Sequence, residues 1–140
     1  KTVSRIIIPF IQLFALYVVA HGDFSPGGGF QGGVIFGAAM ILMAIAFDLR
    51  TAVEVINEKA LGILCALGIF IYAGIGVLCL LLGGNFLDYG QLAKILPVDP
   101  IHARALGMLG VEIGVGFAVM AVMILIYMNI ASEGRFNRGL

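Results

Sequence analysis

Four long apolar stretches, residues 6–20, 30–47, 61–82 and 105–130, constrain this chain more than any other feature. A hydrocarbon core about 30 Å thick takes about 20 residues of helix to cross, and each stretch reaches that length once its flanking residues are added. No water is available inside lipid to satisfy backbone N–H and C=O groups, so a crossing segment is either a helix or part of a closed barrel. A barrel requires short alternating segments, and these runs do not alternate. The expectation is an all-α, polytopic membrane protein with four transmembrane helices, forming a single domain over residues 1–140. Composition agrees, since 61% of residues are hydrophobic and 11% charged, whereas a soluble domain is about one quarter charged. The formal net charge is zero, so the bilayer is an expected partner and nucleic acid is not.

The first stretch has a second reading. Lys1 and Arg5 precede an apolar run ending in Val18-Val19-Ala20, the outline of a cleavable signal peptide. The chain retains these residues, and a cleaved product would start at a glycine-rich segment with three helices, so a transmembrane helix is expected instead. Orientation follows from the distribution of Lys and Arg. Lys1, Arg5, Arg50, Lys59, Arg135 and Arg138 fall on one side of a four-span chain, against Lys94 and Arg104 on the other. Both termini are therefore expected in the cytoplasm, in a multi-pass protein of the inner (plasma) membrane.

Between the first two stretches lies the run HGDFSPGGGFQGG, from His21 to Gly33. An ordinary membrane loop needs no such sequence. Glycine supplies positive φ and permits close approach of another backbone or an ion, and Pro26 stiffens the entry. Something is expected to pack against this turn or pass near it. Residues 27–32 formally match G-x-G-x-x-G, but that dinucleotide fingerprint acts only after a strand in a βαβ unit, and here it follows an apolar helix. No Lys-Ser or Lys-Thr follows, which excludes a phosphate-binding P-loop.

Glycines recur inside the spans as well, at Gly29, Gly33 and Gly37 in the second and at Gly107, Gly110 and Gly114 in the fourth. Small residues at this spacing let helices approach closely where the hydrophobic effect does not drive association. Residues 48–59 mix charge with Ala52, Val53, Val55 and Ile56, which reads as a short interfacial helix or a solvated connector. Between the last two spans, Gly83-Gly84-Asn85 ends an apolar run, and residues 87–96 can form a short surface helix before Pro97 and Pro100. Ile95, Leu96, Val98 and Ile101 make that connection apolar, which favours cover by a partner or by the lipid interface. Cys65 and Cys79 lie about 21 Å apart along one helix and have no ligand-spaced neighbours, so packing roles and no metal are expected.

Glu112 is the ionisable residue placed deep in a span. Counted from Ala105, it sits about 10 Å below the outer end of its helix. Charged groups at such depth are costly and usually face a cavity or a partner, so an ion-path role is the default, with a hydrogen-bonded helix fastener as the alternative. A carboxyl there can take up a proton or Na⁺. Met108 and Gly116 share its face, and no second acid lies in the other spans. His21 and Asp23, with Asp99 and His102 on the same side, are candidates for an outer mouth. No cluster of nucleophile, base and orienting group is available for an enzyme of its own, and no cofactor is expected.

The order of these elements resembles a known family. A short apolar helix, HGDFSPGGGFQGG opening a second, and GMLGVEIGVGFAVMAV in the last closely resemble the B-type component of multi-subunit Na⁺/H⁺ antiporters of the Mrp (Mnh) type, over nearly the whole chain. The resemblance implies a small membrane subunit without a catalytic site, embedded among other hydrophobic antiporter subunits in a hetero-oligomer that exchanges Na⁺ for H⁺. Homologous subunits also occur in membrane-bound respiratory hydrogenases and related redox complexes, where such a chain can be a purely structural scaffold. Carried over by position, the family's turn falls on Pro26, Gly27, Gly28, Gly29, Phe30, Gly32 and Gly33, as subunit-contact or ion-path residues. Its acidic position falls on Glu112.

Overall fold

The computed structural model describes residues 1–22, 24 and 27–133. Asp23, Pro26, Arg135 and Arg138 lie outside the described residues. Five α-helices run in the order α1 (Thr2–Ala20), α2 (Gly29–Phe47), α3 (Leu49–Val55), α4 (Glu58–Leu81) and α5 (Pro100–Ala131), with a 3₁₀ segment over Tyr89–Lys94. All but α3 are long and apolar enough to cross a membrane. Within residues 48–59, expected as a short interfacial helix or a solvated connector, Leu49–Val55 is helical: Ala52 is buried, Leu49, Val53 and Ile56 pack under the helical core, and Arg50 and Glu54 are exposed.

Local signals fix the ends. At the start of α4 the Asn57 side chain accepts a hydrogen bond from the Ala60 N–H at 2.8 Å, and Glu58 occupies the first turn, where negative charge is favoured. At its end Gly83 takes φ +88°, a left-handed conformation that glycine adopts without penalty. There Gly83 N–H donates to the Leu80 carbonyl and Gly84 N–H to the Cys79 carbonyl, the paired bonds of a Schellman cap. Lys94 then reaches back from the 3₁₀ segment, its Nζ donating to the Leu82 carbonyl at 2.6 Å. Pro100 starts α5, where its missing N–H costs no bond.

The long α5 is the central helix. It packs against α4 on one side and α2 on another, while α1 lies mainly against α2. Met40, Leu61, Met120, Ala121, Ile124 and Met128 form the core where α2, α4 and α5 meet near the chain termini. Toward the other end, Cys79, Leu92 and Ala103 join α4, the 3₁₀ segment and α5. Both cysteines are free.

Small residues set the helix spacings, though not as one continuous face. A Cβ built on Gly68 would collide with the Gly114 carbonyl, and one on Gly114 would meet the Gly68 carbonyl at 2.8 Å, so α4 and α5 cross there backbone to backbone. Gly110 instead faces Ile75, and Gly107 lies under the Tyr89 ring. Of these three glycines of α5, Gly110 and Gly114 thus meet α4 and Gly107 meets the 3₁₀ segment. Gly29 and Gly33 face α5 too tightly to accept a methyl group, whereas a Cβ on Gly37 would find ordinary contacts from 3.5 Å.

Candidate functional site at the glycine turn

The turn between α1 and α2 closes around Glu112. A Cβ at Gly22 would strike the Glu112 carboxylate group, and one at Gly28 would lie 3.0 Å from its Oε1 and 3.3 Å from its Cδ. At Gly29 the collision is with the backbone carbonyl of the same residue. Three glycines at the turn and the start of α2 therefore meet one glutamate far away in the sequence. Gly28, the N-cap of α2, holds φ +131°, which an L-residue rarely adopts. Its lack of a side chain thus serves both the conformation and the space for the carboxyl.

Below the carboxyl the same approach continues. Gly33 would place a Cβ 2.7 Å from the Gly116 carbonyl, and Gly116 would place one 3.2 Å from the Gly29 carbonyl. Glu112 and Gly116, one helical turn apart on α5, thus form a flat strip on which the first turn of α2 rests. Gly27 and Gly32 serve the other neighbour. A Cβ at Gly27 would come 3.1 Å from Val18 Cγ1, and at Gly32 it would meet Val19 and the Ala15 carbonyl, both on α1. Phe30 points away from all of this and is 63% exposed.

The Glu112 Oε2 atom is shielded from solvent. It lies about 18 Å along α5 from Pro100, farther than the sequence suggests, because α5 begins at Pro100 rather than at Ala105. Its field reaches Tyr89 in the 3₁₀ segment. Burial pushes the Tyr89 phenol above its ordinary range, with further contributions from Tyr72, Cys79 and Glu112.

His21 stacks on Tyr17 with ring centroids 4.3 Å apart and immediately precedes Gly22, so it stands beside the carboxyl's enclosure on the exposed side. His102 stands apart from it, pairing with Asp99 across 3.8 Å at the start of α5. Sequence reasoning weighs the glycine run and Glu112 as separate features and passes over Gly22. Its place as the second residue of that run is the signal that could have found it.

A family model described as a domain related to the MnhB subunit of Na⁺/H⁺ antiporters matches residues 1–125. The chain belongs to this family. Among individual proteins, chains of Staphylococcus aureus strains Newman and USA300 that carry the name "Putative antiporter subunit mnhB2" are 30% identical to it over 136 residues, covering 96% of this chain and 94% of theirs. The match includes the α1–α2 turn and most of α5, so the elements enclosing Glu112 all lie within the family's domain.

Proposed function

We propose that this chain is a non-catalytic membrane subunit of a multi-subunit Na⁺/H⁺ antiporter, and that Glu112, in its glycine enclosure, lies on the path taken by Na⁺ or H⁺. Membership of the MnhB-related family and the near full-length likeness to chains named antiporter subunits support the first part. The observation that carries the second is the convergence of Gly22, Gly28 and Gly29 on the Glu112 carboxyl. A residue that only fastened helices would be served by any hydrogen-bonding neighbour. Side-chain-free positions at Gly22, Gly28 and Gly29 let main chain come close to this residue, and main-chain dipoles can serve a proton or a cation.

Within this reading the turn has two duties. Gly28, Gly29 and Gly33 set the distance between α2 and α5, while Gly27 and Gly32 seat α1. The exposed Phe30 serves contact with a neighbouring subunit. His21, with Asp23, forms the mouth from which the carboxyl exchanges protons. The subunit acts as one domain, with both termini in the cytoplasm as its Lys and Arg distribution indicates. Other hydrophobic subunits complete the path, because this chain brings one acid to the membrane interior and no relay of them.

Replacing Glu112 with Gln in the complete complex tests this. The amide keeps size and hydrogen bonding while removing titration and charge. Assembly retained with Na⁺-dependent H⁺ exchange lost supports the reading. Assembly and exchange both retained reduce Glu112 to a structural part of a scaffold subunit.

A further inference from the structure

Two aromatic side chains of the connection between α4 and α5 are seated on glycines of the helices it joins. Phe86 lies on Gly76 of α4, where any Cβ would collide with its ring. Tyr89 lies on Gly107 of α5, where a Cβ would come 2.7 Å from Tyr89 Cδ1. Tyr72 of α4 meets Phe86 edge-on with centroids 6.3 Å apart, and Tyr89 packs on the buried cluster of Cys79, Leu92 and Ala103. Phe86 shows that seating a ring here takes no hydroxyl. Tyr89 carries one all the same, half-buried, and among the described residues that hydroxyl makes no hydrogen bond to the protein.

Three groups act on this phenol electrostatically: Tyr72 and Cys79 from α4, and Glu112 from α5. Tyr72 and Glu112 both lie nearer the Gly68–Gly114 crossing than Gly107 does, so the hydroxyl has the interior of the helix pair on that side. Gly107 and Glu112 are about 7.5 Å apart along α5 and on different sides of it, a gap that water spans. The α1–α2 turn reaches Glu112 from α2, whereas Tyr89 reaches it from the side of α4. A carboxyl that exchanges with one mouth alone moves nothing onward. Transfer needs a second connection.

We propose that Tyr89 is that connection: its hydroxyl, through a short water chain, relays protons between Glu112 and the groove between α4 and α5, where Tyr72 is 37% exposed. As the Glu112 carboxyl gives its proton to the chain, the phenol oxygen takes one up and its own proton moves on into the groove. Each step forms one O–H bond and breaks another, so the phenol is neutral before and after, and Glu112 is left as a carboxylate able to take Na⁺ or the next proton. Burial suits the phenol to this, because by pushing it above its ordinary range it keeps a proton to give and a lone pair to receive. Arg104 and Asp88 flank the connection beside it, since a Cβ at Gly90 would lie 3.2 Å from Arg104 Nε and 3.5 Å from Asp88 Oδ1. This role rests on the proposed place of Glu112 on the ion path.

Tyr89→Phe in the complete complex removes the hydroxyl and keeps the ring on Gly107. Co-purification of the subunits is expected to stay at the parental level. Na⁺-dependent H⁺ exchange in everted vesicles is expected to slow by about tenfold, less than the roughly hundredfold of a fully positioned proton-transfer group, because water spans part of the gap. Tyr89→difluorotyrosine keeps ring and hydroxyl but gives a phenol that ionises at lower pH. The alkaline limb of its exchange profile is expected to move toward acid pH, a change that a ring serving only to pack does not produce. A parental rate for Tyr89→Phe in an assembled complex, or an unmoved profile for the fluorinated variant, overturns the relay. Should Tyr89→Phe fail to assemble, the fluorinated variant decides. If Glu112→Gln abolishes exchange while both changes at Tyr89 are silent, the relay alone falls; if Glu112→Gln exchanges normally, the ion-path reading falls and the relay with it.

Discussion

A single methyl group, added at Gly22 or at Gly29, separates the two duties of the turn. At Gly29 the new Cβ collides with a backbone carbonyl of α5, that of Glu112, and neither partner can rotate away. The helices must move apart, and overpacking of this kind costs about 1–3 kcal/mol, offset in part by the roughly 1 kcal/mol better helix propensity of Ala. At Gly22 the collision is with the end of the Glu112 side chain, whose Cδ and Oε1 would lie 2.7 Å away. A side-chain end can turn aside, for about 0.5–1.5 kcal/mol of rotamer strain. Gly29→Ala is therefore expected to weaken assembly, read as lower recovery of co-purified subunits and a lower thermal midpoint. Gly22→Ala is expected to leave both near parental values and to slow Na⁺-dependent H⁺ exchange in everted vesicles by about tenfold or more, because a displacement near 1 Å at a reacting group is worth up to about a hundredfold. If Gly22→Ala exchanged at the parental rate in a normally assembled complex, the carboxyl's position would not matter and the ion-path reading would fall. A Gly29→Ala complex as stable as the parent would refute the backbone-contact reading of α2 against α5.

Three further outcomes rest on single contacts. Gly33→Ala, whose Cβ would lie 2.7 Å from the Gly116 carbonyl, is expected to lose about 1–2 kcal/mol in thermal or detergent unfolding, while Gly37→Ala, with nothing nearer than 3.5 Å, is expected to be neutral or stabilising. Asp48 joins α2 to α3 at φ +118°, where a non-glycine residue is strained; Asp48→Gly is expected to stabilise the chain by about 1 kcal/mol, net of the lost hydrogen bond from Leu49 N–H at 2.9 Å, as measured by thermal unfolding. Lys94→Met removes the donor to the Leu82 carbonyl and the positive charge at the end of α4, for an expected loss of about 0.5–1 kcal/mol that shrinks in high salt.

The spans were legible because length and the absence of charge are local properties. Their ends were less so. The sequence reading starts the last span at Ala105, since His102 and Arg104 interrupt the apolar run, yet α5 begins at Pro100 because the 3₁₀ segment packs Leu92 onto Ala103 and supports the extra turn. Gly107, Gly110 and Gly114 read as one packing face, because spacing alone reports which residues share a side and not which neighbour each meets. In the structure Gly110 and Gly114 do share a face, meeting Ile75 and Gly68 of α4, while Gly107 lies under Tyr89 of the 3₁₀ segment. Glu112 and the glycine run were each conspicuous in the sequence. Their contact was not, because nothing local to either states which helices are adjacent.

That contact explains why Gly28 and Gly29 stand at the beginning of α2. A helix N-terminus carries about half a positive charge on N–H groups that have no partner within the helix, and it favours an anion placed against it. Gly28 is the N-cap of α2 and lies against Oε1 of Glu112, so the carboxyl meets the part of α2 suited to its charged form. The N-terminal effect fades within one helical turn, so the carboxyl must come close to profit from it, and any side chain at Gly22, Gly28 or Gly29 would hold it off.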